Sequence, residues 1–417
     1  MGVLDLITIL IFLAAVFSFI NVNYLKLPST IGLMIIALVL SILVLISGYF
    51  SPVITDLALD ILSGFDFKEV LLDVMLSFLL FAGALSIDVD KLKAQRWPII
   101  ILATIGTLIS TFVVGFLMFY VFQFIGYPVD FIYCLLFGAL ISPTDPIAVM
   151  ALLSDAKISK KLEIKIAGES LFNDGIGVVT FLTILGLAET GTANFDIGST
   201  LSLFAIEVGG GLLLGASFGY LGHKLLQIIE NQHVELEVLV TLSLVMVSYR
   251  AAEFLHVSGP LAVVVLGLFL SKEGRPETEA KATGDYVYKF WHLVDEALNA
   301  ILFILIGLEI IVISTDFRSD YFIIGFCAII VVLLARFIGV ALPIKIMEAL
   351  RTNFEKGTIA ILTWGGLRGG ISVALALSIP DSFEAKDVII SATYSVVVFS
   401  ILVQGLTIKK LVKKTGL

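Results

Sequence analysis

The chain has 417 residues, of which 59% are hydrophobic and 15% charged, with a formal net charge of −9. An average soluble domain has roughly 25% charged residues, so this composition excludes a soluble globular enzyme or binding domain. Apolar stretches of about 17 to 25 residues recur along the chain and indicate a polytopic membrane protein, because each can cross a hydrocarbon layer of roughly 30 Å as a helix.

Apolar windows bounded by breaker residues predict an all-α protein of thirteen helices. In chain order these cover residues 4–21, 28–48, 68–87, 97–125, 131–153, 162–188, 199–228, 235–255, 258–271, 288–313, 320–346, 355–379 and 386–408. The first has neither a basic leader nor a small-residue cleavage motif, so it is expected to be a retained span. No stretch with the composition of a soluble domain separates these helices.

The lysines and arginines predict the orientation in the membrane, because positively charged loops remain in the cytoplasm. With the N-terminus outside, the predicted outer loops hold only Lys68, Arg318 and Lys386, whereas most of the 26 basic residues fall in the predicted inner loops. This alternation predicts an odd number of spans with a cytoplasmic C-terminus.

The fifth predicted helix, 131–153, contains Pro143 and Pro146 around Thr144 and Asp145. Two prolines three residues apart remove two NH donors and block two carbonyls, so backbone groups near Asp145 are freed from the helical hydrogen-bond pattern. Non-helical backbone at membrane depth occurs only where protein or a water-filled cavity surrounds it. This segment is therefore predicted to line a site.

The twelfth predicted helix, 355–379, is expected to be interrupted as well. Each glycine weakens a helix by roughly 1 kcal/mol relative to alanine. Four glycines flank Arg368: Gly365, Gly366, Gly369 and Gly370. If helices one to six and eight to thirteen form two repeats, they are inverted and their broken helices occupy matching positions. Two broken helices at matching positions of inverted repeats indicate the midplane binding site of a transporter.

The sixth predicted helix, 162–188, carries the sequence GESLFNDG. Ser170 and Asp174 are four residues apart and share one face, while Glu169 and Asn173 share the adjoining face. Beside the broken fifth helix, Asp174 and Ser170 would face further oxygen ligands there. Those ligands are the Asp145 carboxylate, the Thr144 hydroxyl and freed main-chain carbonyls, and an all-oxygen set suits a hard cation.

A buried carboxylate predicts competition between a cation and a proton. Low dielectric surroundings penalise ionised Asp174, so its charged form needs a cation and its neutral form needs a proton. At one alternating-access site this competition gives exchange of a cation for a proton without ATP.

Glu169 also needs a partner inside the membrane. Arg336 in the eleventh predicted helix is the natural partner in a buried pair, and Arg368 is the alternative. Arg250 is expected to pair with Glu253 three residues later. Three other intramembrane acids are expected to have structural roles: Asp73, Glu207 and Glu309.

Four motifs together resemble the cation/proton antiporter family, in its NhaP and NHE branch of sodium/proton exchangers. They are SPTDPIAV, GESLFNDG, LLARFIGV and TWGGLRGGISVALAL. The resemblance implies an NhaA/NhaP-like fold with two inverted repeats and two unwound, crossing helices. It also implies a homodimer in which a core bundle, about 97–188 and 320–410, moves like an elevator against a dimerisation scaffold, about 1–90 and 199–313.

The resemblance assigns roles to matching residues. Asp174 would be the essential carrier of cation and proton. Asp145, Ser170 and the main chain of Thr144 would help to bind Na⁺, and Glu169 would act close to the ion. The resemblance implies a transporter rather than an enzyme, with no cofactor beyond the transported Na⁺ and H⁺ and no nucleic-acid partner.

Further positions would support this site. Arg336 would hold Glu169 and Asn173, Arg368 would stabilise the helix break, and the two prolines would maintain the other break. Relatives that move two protons per sodium commonly have an aspartate at the position of Asn173. The resemblance therefore implies electroneutral one-for-one exchange.

Two other functions fit parts of the pattern. A potassium/proton antiporter would use nearly the same ligands, and a sodium-coupled organic anion symporter could share the crossed broken helices. The symporter would need a roomier cavity with groups for its substrate, whereas the motifs supply ligands for a small cation. The chain ends at Leu417, directly after the last predicted span, which favours a prokaryotic plasma membrane over an animal exchanger with a regulatory tail.

Overall fold

The computed structural model describes residues 3–48, 50–63, 75–146, 149–150, 153, 158–190, 196–229, 233–271, 284–313 and 320–415. In these residues the regular structure is helical, and β-type pairing is limited to one isolated bridge between Asp145 and Leu367. The predicted all-α class is therefore confirmed.

The described helices are α1 Val3–Ile20, α2 Ser29–Gly48, α3 Pro52–Ser63, α4 Leu76–Leu85, α5 Val89–Ala94, α6 Arg96–Ile101, α7 Thr107–Ile125, α8 Phe131–Ile141, α9 Lys160–Thr190, α10 Ile197–Ile228, α11 Val234–Phe254, α12 Gly259–Leu270, α13 Gly284–Leu308, α14 Ile310–Ile313, α15 Asp320–Ala349, α16 Thr358–Trp364, α17 Gly370–Leu377, α18 Lys386–Phe399 and α19 Leu406–Thr415. Three π-helical stretches extend or join them: Asn21–Leu25 after α1, Leu102–Gly106 before α7 and Ser400–Gly405 before α19.

Local chemistry explains several of the helix ends. Asp196 precedes α10 and its side chain accepts a hydrogen bond from the backbone of Ser199 at 2.8 Å. Ser258 caps α12 in the same way, by accepting from the backbone of Leu261. Such residues satisfy backbone donors that the first helical turn leaves free. At the other end of a helix, α7 stops at Gly126, whose φ of +80° favours glycine.

Among the described residues, eight helices are long and apolar enough to cross a membrane. They include three that match the predicted segments closely: Arg96–Ile125, Lys160–Thr190 and Asp320–Ala349. The chain is therefore a multi-pass membrane protein. Residues 68–74 of the predicted segment 68–87, with Asp73, lie outside the described residues. The number of crossings and the inverted repeats stay predictions.

Helix α3 is not among the predicted helices. It has twelve residues, too few to span a membrane, and Asp56 and Asp60 interrupt its apolar pattern. Ala58 and Leu59 pack against a small apolar cluster that includes Phe17 and Leu33. Its helical state is thus supported by tertiary packing against α2 as well as by local sequence.

The helices pack in two groups. Helices α7, α8, α9, α15, α17 and α18 form one connected group, and α2, α4, α10, α11, α12 and α13 form the second group. Contacts between the groups include α9 with α12 and α13 with α17. The division into a core and a scaffold, and movement of one against the other, stay predictions.

Candidate ion-binding site

The first broken helix has the geometry that its two prolines predict. Helix α8 ends at Ile141, and residues 143–146 are not helical. The backbone N–H of Asp145 donates to the carbonyl of Leu367 at 2.8 Å, which forms the isolated bridge. This contact satisfies a donor that the break removes from the helix, and it joins the two broken segments directly.

The second break separates α16 from α17, and its glycines permit a close approach. A Cβ atom at Gly369 would collide with the carboxylate of Asp145. A Cβ at Gly366 would lie 2.5 Å from Nε of Arg336. Both predicted interruptions are therefore confirmed, and the glycines allow the two broken segments and Arg336 to come together.

Hydrogen bonds fasten α9 to the first break. The backbone N–H of Thr144 donates to Oδ1 of Asn173 at 3.2 Å, and Nδ2 of Asn173 donates to Oγ1 of Thr144 at 2.8 Å. The hydroxyls of Thr144 and Ser170 are 3.0 Å apart. All three side chains are buried. The amide of Asn173 thus fixes the peptide and the side chain that the prolines release.

Asp174 and Asp145 line one cavity of about 550 Å³ that also reaches Thr144. Asp174 is only 6% exposed and Asp145 is half-buried. Ser170 adjoins this group through its contact with Thr144. The arrangement offers carboxylate and hydroxyl oxygens, which are the ligands that a hard cation prefers.

The partner of Glu169 is Arg336. Nη1 of Arg336 lies 2.5 Å from Oε1 of Glu169, and their side chains are 5% and 1% exposed. Nε and Nη2 of the same arginine donate to the carbonyl of Leu362 at 3.2 and 3.1 Å. Leu362 lies in the last turn of α16, where the break removes the usual backbone donor. One guanidinium therefore links α9, α15 and α16.

The expected bond from Arg336 to Asn173 is not made within the described part of the chain. Asn173 is instead engaged by Thr144, and the donors of Arg336 are used by Glu169 and Leu362. The structure therefore differs from that expectation, because the broken segment presents a backbone N–H and a hydroxyl to the amide of Asn173.

Arg368 lies inside the second break and is fully enclosed. Its Nη1 donates to the carbonyl of Gly366 at 2.9 Å, and its backbone N–H donates to Oγ of Ser400 at 2.9 Å. Nε2 of Gln404 donates to the carbonyl of Trp364 at 2.9 Å. These bonds satisfy backbone groups that the break leaves without helical partners. Ser400 and Gln404 belong to the π-helical stretch and were not predicted as part of the site.

Asp295 and Asn299 also line the cavity of Asp174 and were missed by the sequence analysis. Nδ2 of Asn299 donates to the main-chain and side-chain oxygens of Asp295 at 2.8 and 3.0 Å. Their spacing of four residues within an apolar span was the available signal. Both belong to α13, so the cavity lies between the two packing groups.

Three other charged groups that the sequence places in spans lie away from this cavity. Arg250 pairs with Glu253 at 2.8 Å, as predicted. Glu309 is buried at the end of α13, and Glu207 is half-buried in α10. Neither lines the cavity that contains Asp174.

Comparisons with known proteins show which family the chain resembles. A family model described as "Sodium/hydrogen exchanger, transmembrane" matches residues 9–414. The chain is 46% identical to the Na(+)/H(+) antiporter NhaP of Pseudomonas aeruginosa, over 99% of this chain and 96% of that protein. It is 34% identical to the Na(+)/H(+) antiporter NhaH of Halobacillus dabanensis, over 99% and 98% of the two chains.

A solved structure shares the fold. The sodium proton antiporter MjNhaP1 from Methanocaldococcus jannaschii superposes with a TM-score of 0.77 at 21% identity, over 100% of this chain and 99% of that chain. This likeness confirms the predicted antiporter fold, and the family is one of transporters rather than enzymes. The family model, the identities over nearly the whole length and the shared architecture together show that the chain belongs to the transmembrane sodium/hydrogen exchanger family.

Proposed function

We propose that this protein is a secondary sodium/proton antiporter that exchanges Na⁺, and also Li⁺, for H⁺ at Asp174. The observation that carries the proposal is a nearly enclosed carboxylate in a cavity shared with a second carboxylate and with Thr144. The relatives named above are sodium/proton antiporters, and their names give no support to the potassium alternative.

The chemistry of exchange follows from the burial of Asp174. An ionised carboxylate in low dielectric surroundings is unfavourable unless a cation or a proton neutralises it. The negative charge of Asp145 increases this need. A bound Na⁺ is attracted by both carboxylates, whereas a bound proton removes the charge of one of them. The two substrates therefore exclude each other, and each must leave before the other is carried.

Glu169 is not the group that carries either substrate in this scheme. Its carboxylate is held by Arg336, so the pair remains neutral while Asp174 gains and loses its substrate. Asn173 is also uncharged and engaged with Thr144. One carboxylate that alternates between Na⁺ and H⁺ gives electroneutral one-for-one exchange.

Alternating access needs the site to face each side in turn. The cavity reaches Lys91 and Lys160, which the distribution of basic residues assigns to the cytoplasm, so it opens inward. We propose that the core, 97–188 and 320–410, moves against the scaffold, 1–90 and 199–313, within a homodimer. The N-terminus lies outside and the C-terminus in the cytoplasm of a prokaryotic plasma membrane.

Proton release from acid-loaded proteoliposomes on addition of Na⁺, Li⁺ or K⁺ tests the proposal. The wild type should respond to Na⁺ and Li⁺, and Asp174→Asn should abolish the response because the amide cannot carry a proton or neutralise a cation. Asp56→Asn, the same change on the exposed surface of α3, is the matched control and should transport normally. Retained Na⁺-driven proton release in Asp174→Asn, or an equal response to K⁺, would refute the proposal.

A further inference from the structure

A second cavity has a lining that shares no residue with the cavity of the ion site. It has a volume of about 880 Å³ and is formed by the end of α15, the turn before α16, helix α16 and helix α19. Its walls are mainly apolar, with these side chains among the lining residues: Phe337, Ile344, Phe354, Ile359 and Trp364. We call this cavity the basic-end groove.

The rim of the basic-end groove is positively charged. Lys356, Lys410 and Lys414 are exposed and line it, and they form no ion pair within the described residues. The acidic residues that line the groove have other partners. Glu348 pairs with Lys345 at 2.8 Å, and Glu355 accepts a hydrogen bond from Ser159 at 2.6 Å. The charge of the three rim lysines is therefore left for a ligand.

The groove is long enough to hold part of an acyl chain. Phe337 and Lys345 are eight residues apart on α15, which places them about 12 Å apart along the helix axis. Phe337 is 49% exposed, so the deep end adjoins a surface of the kind that faces hydrocarbon.

We infer that the basic-end groove binds an acidic phospholipid, with one acyl chain between α15, α16 and α19 and the headgroup phosphate at Lys356, Lys410 and Lys414. Apolar walls below a cationic rim match an amphiphilic anion, and a soluble anion would leave those walls without a partner. A zwitterionic headgroup would bring a positive charge of its own close to the three lysines. The groove ends at Trp364, one residue before the break at Gly365, so the lipid would lie beside the crossing segments.

Helix α19 contains a matched pair of double variants that tests the headgroup site. Lys410→Gln/Lys414→Gln removes two rim charges, whereas Lys409→Gln/Lys413→Gln removes two charges from the same helix outside the groove. Binding of phosphatidylglycerol and phosphatidylcholine to the purified full-length protein is measured by native mass spectrometry. Each lysine near an anionic lipid contributes about 1 kcal/mol, or about fivefold in affinity, so the rim variant should bind phosphatidylglycerol about 25-fold more weakly.

The control variant should keep most of its affinity for phosphatidylglycerol. Equal losses in the two double variants, or equal wild-type affinities for the two lipids, would overturn the inference. Ala360→Trp fills the groove without changing the charge and should also weaken binding of the long-chain lipid. If inorganic phosphate or dihexanoyl-phosphatidylglycerol displaced the long-chain lipid at equal concentration, the long acyl chain would add nothing to binding and the inference would be overturned.

Discussion

Replacing Arg336 with methionine tests the buried ion pair most directly. The change removes the partner of Glu169, whose side chain is 1% exposed, and both donors to the carbonyl of Leu362. Removing one partner of a buried pair costs about 3–5 kcal/mol, because an uncompensated charge remains inside. Glu169→Gln leaves the guanidinium uncompensated and should be destabilising by a similar amount.

The double variant Glu169→Gln/Arg336→Met removes both charges and should recover much of the loss. What remains is the carbonyl of Leu362 without its donors, which costs about 1–3 kcal/mol. An unfolding entropy of about 2.1 cal/mol/K per residue gives about 0.9 kcal/mol/K for 417 residues. The single variants should therefore lower the midpoint of thermal unfolding by about 3–6 °C, and the double variant by about 1–3 °C.

Thermal unfolding in detergent, followed by tryptophan fluorescence, measures these shifts. Arg250→Met is the matched control, because it makes the same substitution in an exposed pair whose arginine side chain is 73% exposed. Such pairs contribute little, so its midpoint should move by less than about 1 °C. A buried, stabilising Glu169–Arg336 pair would be contradicted if the double variant were less stable than either single variant, or if the midpoint of Arg336→Met shifted no more than that of the control.

Three further predictions concern transport. Asn173→Asp adds a charge beside Thr144 and should make exchange electrogenic. One charge that crosses a membrane potential of about 100 mV gains about 2.3 kcal/mol, so such a potential should bias the Na⁺ gradient of the variant by up to about 50-fold. The wild type should not respond to the potential. A response of the wild type to voltage in proteoliposomes would contradict one-for-one exchange. Gly369→Ala places a Cβ atom against Asp145. Overpacking costs about 1–3 kcal/mol, so the KM for Na⁺ should rise about 5- to 150-fold. Gly186→Ala is the control, because its Cβ atom would meet nothing within 4 Å, and it should leave the KM unchanged. Lowering the pH on the cavity side should raise the apparent KM for Na⁺ with little effect on the maximal rate, because protons and Na⁺ compete for Asp174. A change in the maximal rate alone would instead indicate separate sites for the two ions.

Local sequence determines most of the helical architecture. A run of apolar residues long enough to span hydrocarbon forms a helix because its backbone must satisfy its own hydrogen bonds there. Pro143 and Pro146 prevent a continuous helix in one span, and the glycines around Arg368 weaken the helix in another. Both breaks can therefore be predicted without tertiary information. The polar face of α9 follows from the helical repeat, because residues 170 and 174 are one turn apart.

Tertiary structure decides the partners. Glu169 and Arg336 are 167 residues apart, and no local signal distinguishes Arg336 from Arg368 as the nearer guanidinium. The same holds for Asn173, whose amide faces Thr144 because the prolines turn that peptide toward α9. Asp295 and Asn299 become cavity residues only because α13 packs against the core. Hydrophobicity and backbone propensity act over a few residues, whereas these contacts depend on how distant helices pack.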